Sequence, residues 1–296
     1  METVGVIGLG DMGSGLAKNL MAGGMTVRGL DLMESRMEAF TKMGGVACNS
    51  PREVGDGSDL VCIMVMNGDQ AKEVIFGEDG LTSSMAKGGV IMLTATIKPK
   101  EAREIGEALE GSGLHLIDSP VSGGRPGAQG GTLTLMAAGS DEAFEIAAPA
   151  IEAISGTLHR VGHEIGMGQT VKACLQSLIG SIFSGAFEAT VLAAKAGVPG
   201  QVLYDVFSTS AAGCGITNAA VGNVMNRDFK DTGSSIHTMH KDITISLDLA
   251  MDLGVPLFTA STAMQLFQAA RTKHPDKDNQ AVALIPEEIV GVGLKK

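Results

Sequence analysis

The sequence predicts an α/β domain built on a doubly wound parallel sheet, residues 1–163, followed by an all-α domain, residues 164–296. Three observations predict this. Short apolar runs alternate with helix-length segments as far as Gly162, and the first run passes straight into Gly-x-Gly-x-x-Gly. From Gly166 onward strand-like alternation gives way to helical patterns stopped by glycine and proline. The first pattern is that of strands linked by crossover helices; the last is that of packed helices.

The first apolar run, Thr3–Gly8, enters the turn Gly8-Leu9-Gly10-Asp11-Met12-Gly13, and Ser14 to Met21 reads as the start of a helix. Such a turn brings backbone N–H groups and the positive end of a helix up to a pyrophosphate. Gly8 makes the tight turn, Gly10 lets the phosphates approach, and Gly13 lets the helix pack on the strand. Alone the motif is weak in a chain with 41 glycines. Its setting strengthens it, because an acid, Asp31, ends the next run, Thr26–Asp31. A carboxylate there accepts hydrogen bonds from a ribose 2′-hydroxyl and repels a 2′-phosphate. The cofactor reading is therefore NAD in preference to NADP, a preference moderated by Arg28 and Arg36 nearby.

Further strands are expected at Leu60–Met66, Val90–Thr96, Leu114–Asp118, Leu133–Ala138 and Leu158–Val161, with helices such as Lys100–Glu110 and Asp141–Ile154 between them. The last strands have short, glycine-rich connections, which fits a partly antiparallel or mixed sheet. A long helix is expected from near Gly168 to Ala196, stopped by Gly197-Val198-Pro199, and another from Ser235 to Leu253, stopped by Gly254-Val255-Pro256. Glycine past the last turn followed by proline is a stop with a mechanism. The long helix is apolar nearly all round, which implies burial on most faces, part of it against another subunit.

Composition narrows the function. Hydrophobic residues make up 44% and charged residues 19%, which excludes a disordered or fibrous chain. A net charge of −11 argues against a nucleic-acid partner or an anionic membrane, but not against a small anionic substrate. Cys48, Cys62, Cys174 and Cys214 show no C-x-x-C pairing, so neither a disulfide framework nor a metal site is indicated, and a reduced cytoplasm is expected. The chain enters a strand by Thr3, which leaves no room for a signal peptide. Polar residues interrupt the apolar stretch Ala173 to Ala194, which reads as a buried helix and not a membrane span.

Two further constellations stand out. Ser119-Pro120-Val121-Ser122-Gly123-Gly124-Arg125-Pro126-Gly127 follows the strand ending at Asp118. The Ser122 hydroxyl and the N–H groups of Gly123 and Gly124 suit a carboxylate; the same composition also suits an ordinary surface turn. Gly166-Met167-Gly168-Gln169-Thr170-Val171-Lys172 opens the long helix, with Lys172 and Gln176 on one face. A lone helical lysine is usually a solvated charge. Here apolar neighbours, a helix N-terminus and the domain junction point the other way. They would lower its pKa, as a lysine acting as acid/base requires. Lys241-Asp242 is a further candidate; standing alone it reads as a solvated charge pair.

Taken together, Gly8–Gly13, Thr96–Pro99, Asp118–Gly124, Gly166–Lys172 and Lys241-Asp242 resemble, in order and spacing, the β-hydroxyacid dehydrogenase family, which includes 3-hydroxyisobutyrate dehydrogenases and tartronate semialdehyde reductases. The resemblance covers essentially the whole chain. It implies a Rossmann domain, an all-helical second domain, and homodimers or homotetramers formed through the long helices. It implies that Lys172 is the catalytic acid/base, that Ser122, Gly123 and Gly124 hold substrate, and that Lys241 lies at cofactor or substrate. Met66, Asn67 and Thr96 match positions that line the nicotinamide nucleotide. Many members continue K-x-x-N-N after the lysine, whereas Leu175 and Gln176 stand here. That departure looks like the L-threonate dehydrogenase branch and speaks against 3-hydroxyisobutyrate as substrate, with Gln176 contacting a substrate hydroxyl or carboxylate. The expected reaction is NAD-dependent oxidation of a small hydroxy acid. A 3-hydroxyisobutyrate dehydrogenase or a tartronate- or succinic-semialdehyde-type reductase is the alternative, and a non-catalytic dinucleotide-binding protein a remote one.

Overall fold

The computed structural model describes residues 1–296, which pack as two compact units, Met1–Lys172 and Ala173–Lys296. In the first unit β1 (Thr3–Ile7), β2 (Thr26–Leu30), β3 (Val46–Ala47), β4 (Leu60–Ile63), β5 (Val90–Leu93) and β6 (His115–Asp118) lie parallel in the order β3-β2-β1-β4-β5-β6. The helices between them are α1 (Asp11–Ala22), α2 (Glu34–Lys42), α3 (Pro51–Gly55), α4 (Gly68–Phe76) and α5 (Pro99–Leu109). After β6 come β7 (Val121–Ser122), α6 (Gly124–Gly130), β8 (Leu133–Ala138), α7 (Asp141–Ile154) and β9 (Ser155–Gly162). β8 runs antiparallel to β6 and β7 and parallel to β9, the mixed end that the short connections suggest.

β4, β5 and β6 bury almost every side chain, because helices cover both faces of a parallel sheet. Two apolar clusters result. One gathers Val4, Val6, Leu16, Leu20, Leu60 and Ile117; the other gathers Val54, Val61, Ile63, Ile75, Ile91 and Ile105. β4 and β5 end three residues earlier than their apolar runs predict. Their carboxyl ends leave the ladder there: Thr94 and Ala95 both donate their N–H to the Ile63 carbonyl, and Met64 donates to Ile7. The chain turns back on itself between β1 and β4, the position at which doubly wound sheets open a ligand crevice.

α6 forms where the sequence reads as a turn. Its sequence, Gly-Arg-Pro-Gly-Ala-Gln-Gly, has poor helix propensity, and Gly123 precedes it at φ +127°. Tertiary packing overrides propensity. A Cβ on Gly15 of α1 would stand 2.6 Å from the Ala128 carbonyl, and Asn19 Nδ2 donates to that same carbonyl at 2.8 Å. The glycines let two backbones touch.

α8 (Met167–Lys195) is a single helix of 29 residues, long and apolar enough by composition to cross a membrane. In the second unit it is followed by α9 (Gly200–Thr209), α10 (Gly215–Asn226), α11 (Ile236–Asp252), α12 (Phe258–Lys273) and α13 (Leu284–Val290). Phe183 and Phe187 on α8 stack at 5.5 Å and share a core with Val221, Val224, Met239, Ile243 and Phe267. Cys174, Leu178, Glu188 and Leu192 remain exposed. Both expected stops form. Gly197 and Gly254 adopt φ +78° and +69°, and the next residues, Val198 and Val255, close back onto the carbonyls of Ala193 and Ala250.

Candidate active site

The first unit collects most of the predicted site residues at the carboxyl ends of neighbouring strands. Gly8 to Gly13 follow β1, Asp31 follows β2, Met66 and Asn67 follow β4, and Thr96 follows β5. Gly8 sits at φ +91°, where a Cβ would overlap the Met64 carbonyl oxygen, and a Cβ on Gly13 would overlap that of Gly8. Gly10 caps α1 without a side-chain hydrogen bond, so the first N–H groups of the helix, including those of Asp11 and Met12, are left for an anion. Gly13→Ala is expected to destabilise the unit by about 3 kcal/mol or more, because two backbones must separate. A melting temperature within a degree of the unsubstituted protein would contradict this.

Asp31 accepts the Leu9 N–H at 2.7 Å and the Met33 N–H at 2.9 Å, and pairs with Arg36 at 3.2 Å. The Arg36 guanidinium lies 3.6 Å from where a Cβ on Gly10 would be. Acid, base and glycine turn therefore meet at one point. Asn67 caps α4 by accepting the Gln70 N–H at 2.9 Å, while Gln70 Oε1 accepts the N–H of exposed Met66.

Ser122 lies in β7, opposite Thr134 of β8, and Gly123 and Gly124, both at positive φ, lead into α6. The segment that reads as a loop in the sequence is thus a two-residue strand followed by a helix start.

Two residues passed over in the sequence organise the start of α8. Asp118, fully buried at the end of β6, accepts the N–H of Gly166 at 2.9 Å, the N–H of Gln169 at 3.2 Å and Gln169 Nε2 at 2.9 Å. Gln169 also donates Nε2 to the Ala95 carbonyl and accepts the Ile97 N–H, each at 3.0 Å. Burial pushes the Asp118 carboxyl up to about 6, against the lowering pull of these donors. A Cβ on Gly168 would lie 2.5 Å from the carbonyl oxygens of both Asp118 and Met136, so α8 begins in close contact with the sheet. Lys172 follows less than one turn after Gln169 and is 6% exposed. The available signal for Asp118 was a charge closing an otherwise apolar strand.

In the second unit Gln176 and Asp242 are both buried. Gln176 Nε2 donates to Asp242 Oδ2, and Lys241 Nζ stands 3.0 Å from Asp242 Oδ1. Lys241-Asp242 is therefore not a solvated pair, because Asp242 is 4% exposed at its side chain.

Residues 3–163 match the family model described as the NAD binding domain of 6-phosphogluconate dehydrogenase. Residues 166–285 match the one described as NAD-binding of NADP-dependent 3-hydroxyisobutyrate dehydrogenase. The chain belongs to the 3-hydroxyisobutyrate dehydrogenase family. Within this family, the L-threonate dehydrogenase of Escherichia coli O6:H1 is 37% identical over 99% of this chain and 97% of that protein. That of Cupriavidus necator is 36% identical over 96% of each. A crystal structure titled 3-hydroxyisobutyrate dehydrogenase, from Salmonella typhimurium, superposes with a TM-score of 0.88 at 34% identity, covering 96% of this chain and all of that one. These relatives are dehydrogenases by name, and this chain is an NAD-dependent oxidoreductase acting on CH–OH donors.

Proposed function

We propose that the protein oxidises a small hydroxy acid with NAD, a four-carbon sugar acid such as L-threonate being favoured, with Lys172 as general acid/base. The observation that carries the reading is Lys172 itself: a buried lysine held just after a fully hydrogen-bonded helix start. A buried amine whose helix cannot drift is suited to taking a proton at a fixed point.

The residues present fit a dinucleotide. The turn is so tight that Gly8 and Gly13 admit no Cβ, and no side-chain cap occupies the first N–H groups of α1, where a pyrophosphate would bind. Asp31 would hold the ribose, and Met66, Asn67, Thr96 and Lys241 would line the nicotinamide end. Bound NAD supplies the acceptor for the hydride that leaves the carbinol carbon. Lys172 takes the hydroxyl proton in oxidation and returns it in reduction. Ser122 and the amides of Gly123 and Gly124 hold the substrate carboxylate, and Gln176 contacts a further polar group. Asp31→Ser is expected to raise kcat/KM for NADP at least about tenfold, since Arg36 would be released from its pair to meet a 2′-phosphate. Unchanged cofactor preference would remove Asp31 from this role.

The L-threonate preference draws on the relatives named above and on Gln176. Exposed Leu178 and Leu192 on α8 support a homo-oligomer joined through that helix. The free thiols suit a cytoplasmic setting.

The test is the rate of NAD reduction over L-threonate, D-erythronate, 3-hydroxyisobutyrate, glycerate and serine, with NADP and Lys172→Ala as controls. A lysine-dependent rate highest with L-threonate supports the whole reading. A rate with 3-hydroxyisobutyrate alone keeps the mechanism and discards the substrate. Tight NAD binding without turnover on any of them discards both.

A further inference from the structure

Gln176 offers a substrate either an N–H donor or a carbonyl acceptor, and these select different partners. A donor binds a carboxylate or a hydroxyl; an acceptor binds a hydroxyl and repels a carboxylate. The second unit decides between them. Asp242 presents a carboxylate to Gln176, and an ionised carboxylate only accepts hydrogen bonds. The NH2 side of the amide therefore faces Asp242 Oδ2, as the hydrogen bond between them records, and Oε1 lies on the opposite side of the amide carbon.

Several contacts keep it there. Lys241 Nζ, 3.0 Å from Asp242 Oδ1, supplies the opposite charge to this buried carboxylate. One turn further along α11, Ser246 Oγ donates to the Ala173 carbonyl of α8 at 2.7 Å. One turn further along α8, a Cβ on Gly180 would come within 2.7 Å of the Ile243 side chain, so the two helices run close together. With the helices held on both sides of the Gln176–Asp242 bond, an amide flip would set two acceptors against each other at a buried contact.

We propose that Asp242 fixes Gln176 as a hydrogen-bond acceptor for a substrate hydroxyl, and that this pair selects polyhydroxy acids over hydroxy acids carrying an alkyl group or a second carboxylate at that position. The inference rests on the reading that α8 lines the substrate pocket one turn beyond Lys172. A site built to pair a hydroxyl discriminates strongly against the analogue that lacks it, because the buried acceptor is then left without a donor. Asp242 acts through Gln176 and is a positioning residue.

The experiment uses the full-length protein saturated with NAD and compares kcat/KM for L-threonate with that for 2,3-dihydroxybutanoate and 2,4-dihydroxybutanoate, which each lack one hydroxyl. The unsubstituted enzyme is expected to prefer L-threonate over at least one of these by about 100-fold or more. In Gln176→Met, which keeps length and loses the acceptor, that preference should fall below about tenfold, the larger loss being on L-threonate. Asp242→Asn lets the amide face either way and should also shrink the preference. It serves as the independent variant should Gln176→Met fail to fold, as judged by NAD affinity and melting temperature. Lys172-dependent turnover with an unaltered preference in the folded variants overturns this inference and leaves the proposed reaction standing. Absence of Lys172-dependent turnover on every hydroxy acid overturns both.

Discussion

Lys172→Ala should lower kcat for hydroxy-acid oxidation by about 10³-fold, while the Kd for NAD stays within about twofold of the unsubstituted value. The reasoning is local. The glycine turn and Asp31, which would hold the nucleotide, follow β1 and β2, whereas Lys172 belongs to α8. A general base contributes to the step in which the hydroxyl proton leaves, so its removal acts on kcat and not on cofactor affinity. Removing a buried amine also opens a void, so Lys172→Met, nearly the same in volume, is the sharper variant. Equal loss of NAD binding and turnover in both would assign Lys172 a structural role.

Asp118→Ala should be among the most destabilising single substitutions in the first unit. It strips the acceptor from the N–H groups of Gly166 and Gln169 and from Gln169 Nε2, all in the interior. Each buried donor left unpaired costs about 1–3 kcal/mol, so a net loss of about 3 kcal/mol at neutral pH is expected, reduced by relief of the buried charge. The pH dependence has a definite sign. The carboxyl titrates near 3.8 when unfolded and at about 6 when folded. Its protonated form is thus favoured by folding, and that stability is complete below the unfolded value and lost as pH rises through about 6. The whole span is about 3 kcal/mol, roughly half of it between pH 5 and 7.5. Chemical denaturation of both proteins should show the gap between them widening as pH falls from 7.5 to 5. A gap that narrows instead would mean the donors outweigh burial.

Most strand positions were legible because the central strands of a doubly covered parallel sheet are near-continuous apolar runs, and the glycine turn fixes where the first one ends. The ends were less legible. Residues 64–66 are as apolar as β4, and Thr94 to Thr96 are as compatible with a strand as β5, yet both leave the ladder to build the crevice, and side-chain chemistry alone does not mark that point. α6 was missed because its glycines, unfavourable for an isolated helix, are required by contact with α1, which is information about packing. Ser122, Lys172 and Gln176 were singled out from spacing and resemblance. Asp118 and Gln169 were not, since a hydrogen-bonded node joins residues some 50 positions apart and leaves no period in the sequence.

That node has a dynamic consequence. Helix N-termini are ordinarily the first parts of a helix to fray, their early amides having no carbonyl to bond. At the start of α8 the amides of Gly166 and Gln169 are tied to a buried strand end, and the Gln169 side chain reaches on to Ala95 and Ile97. Deuterium should enter these positions only when the sheet itself opens. The first turn of α8 would then exchange on the timescale of global unfolding, and the lysine that follows it would be carried by one of the slowest-opening segments in the first unit.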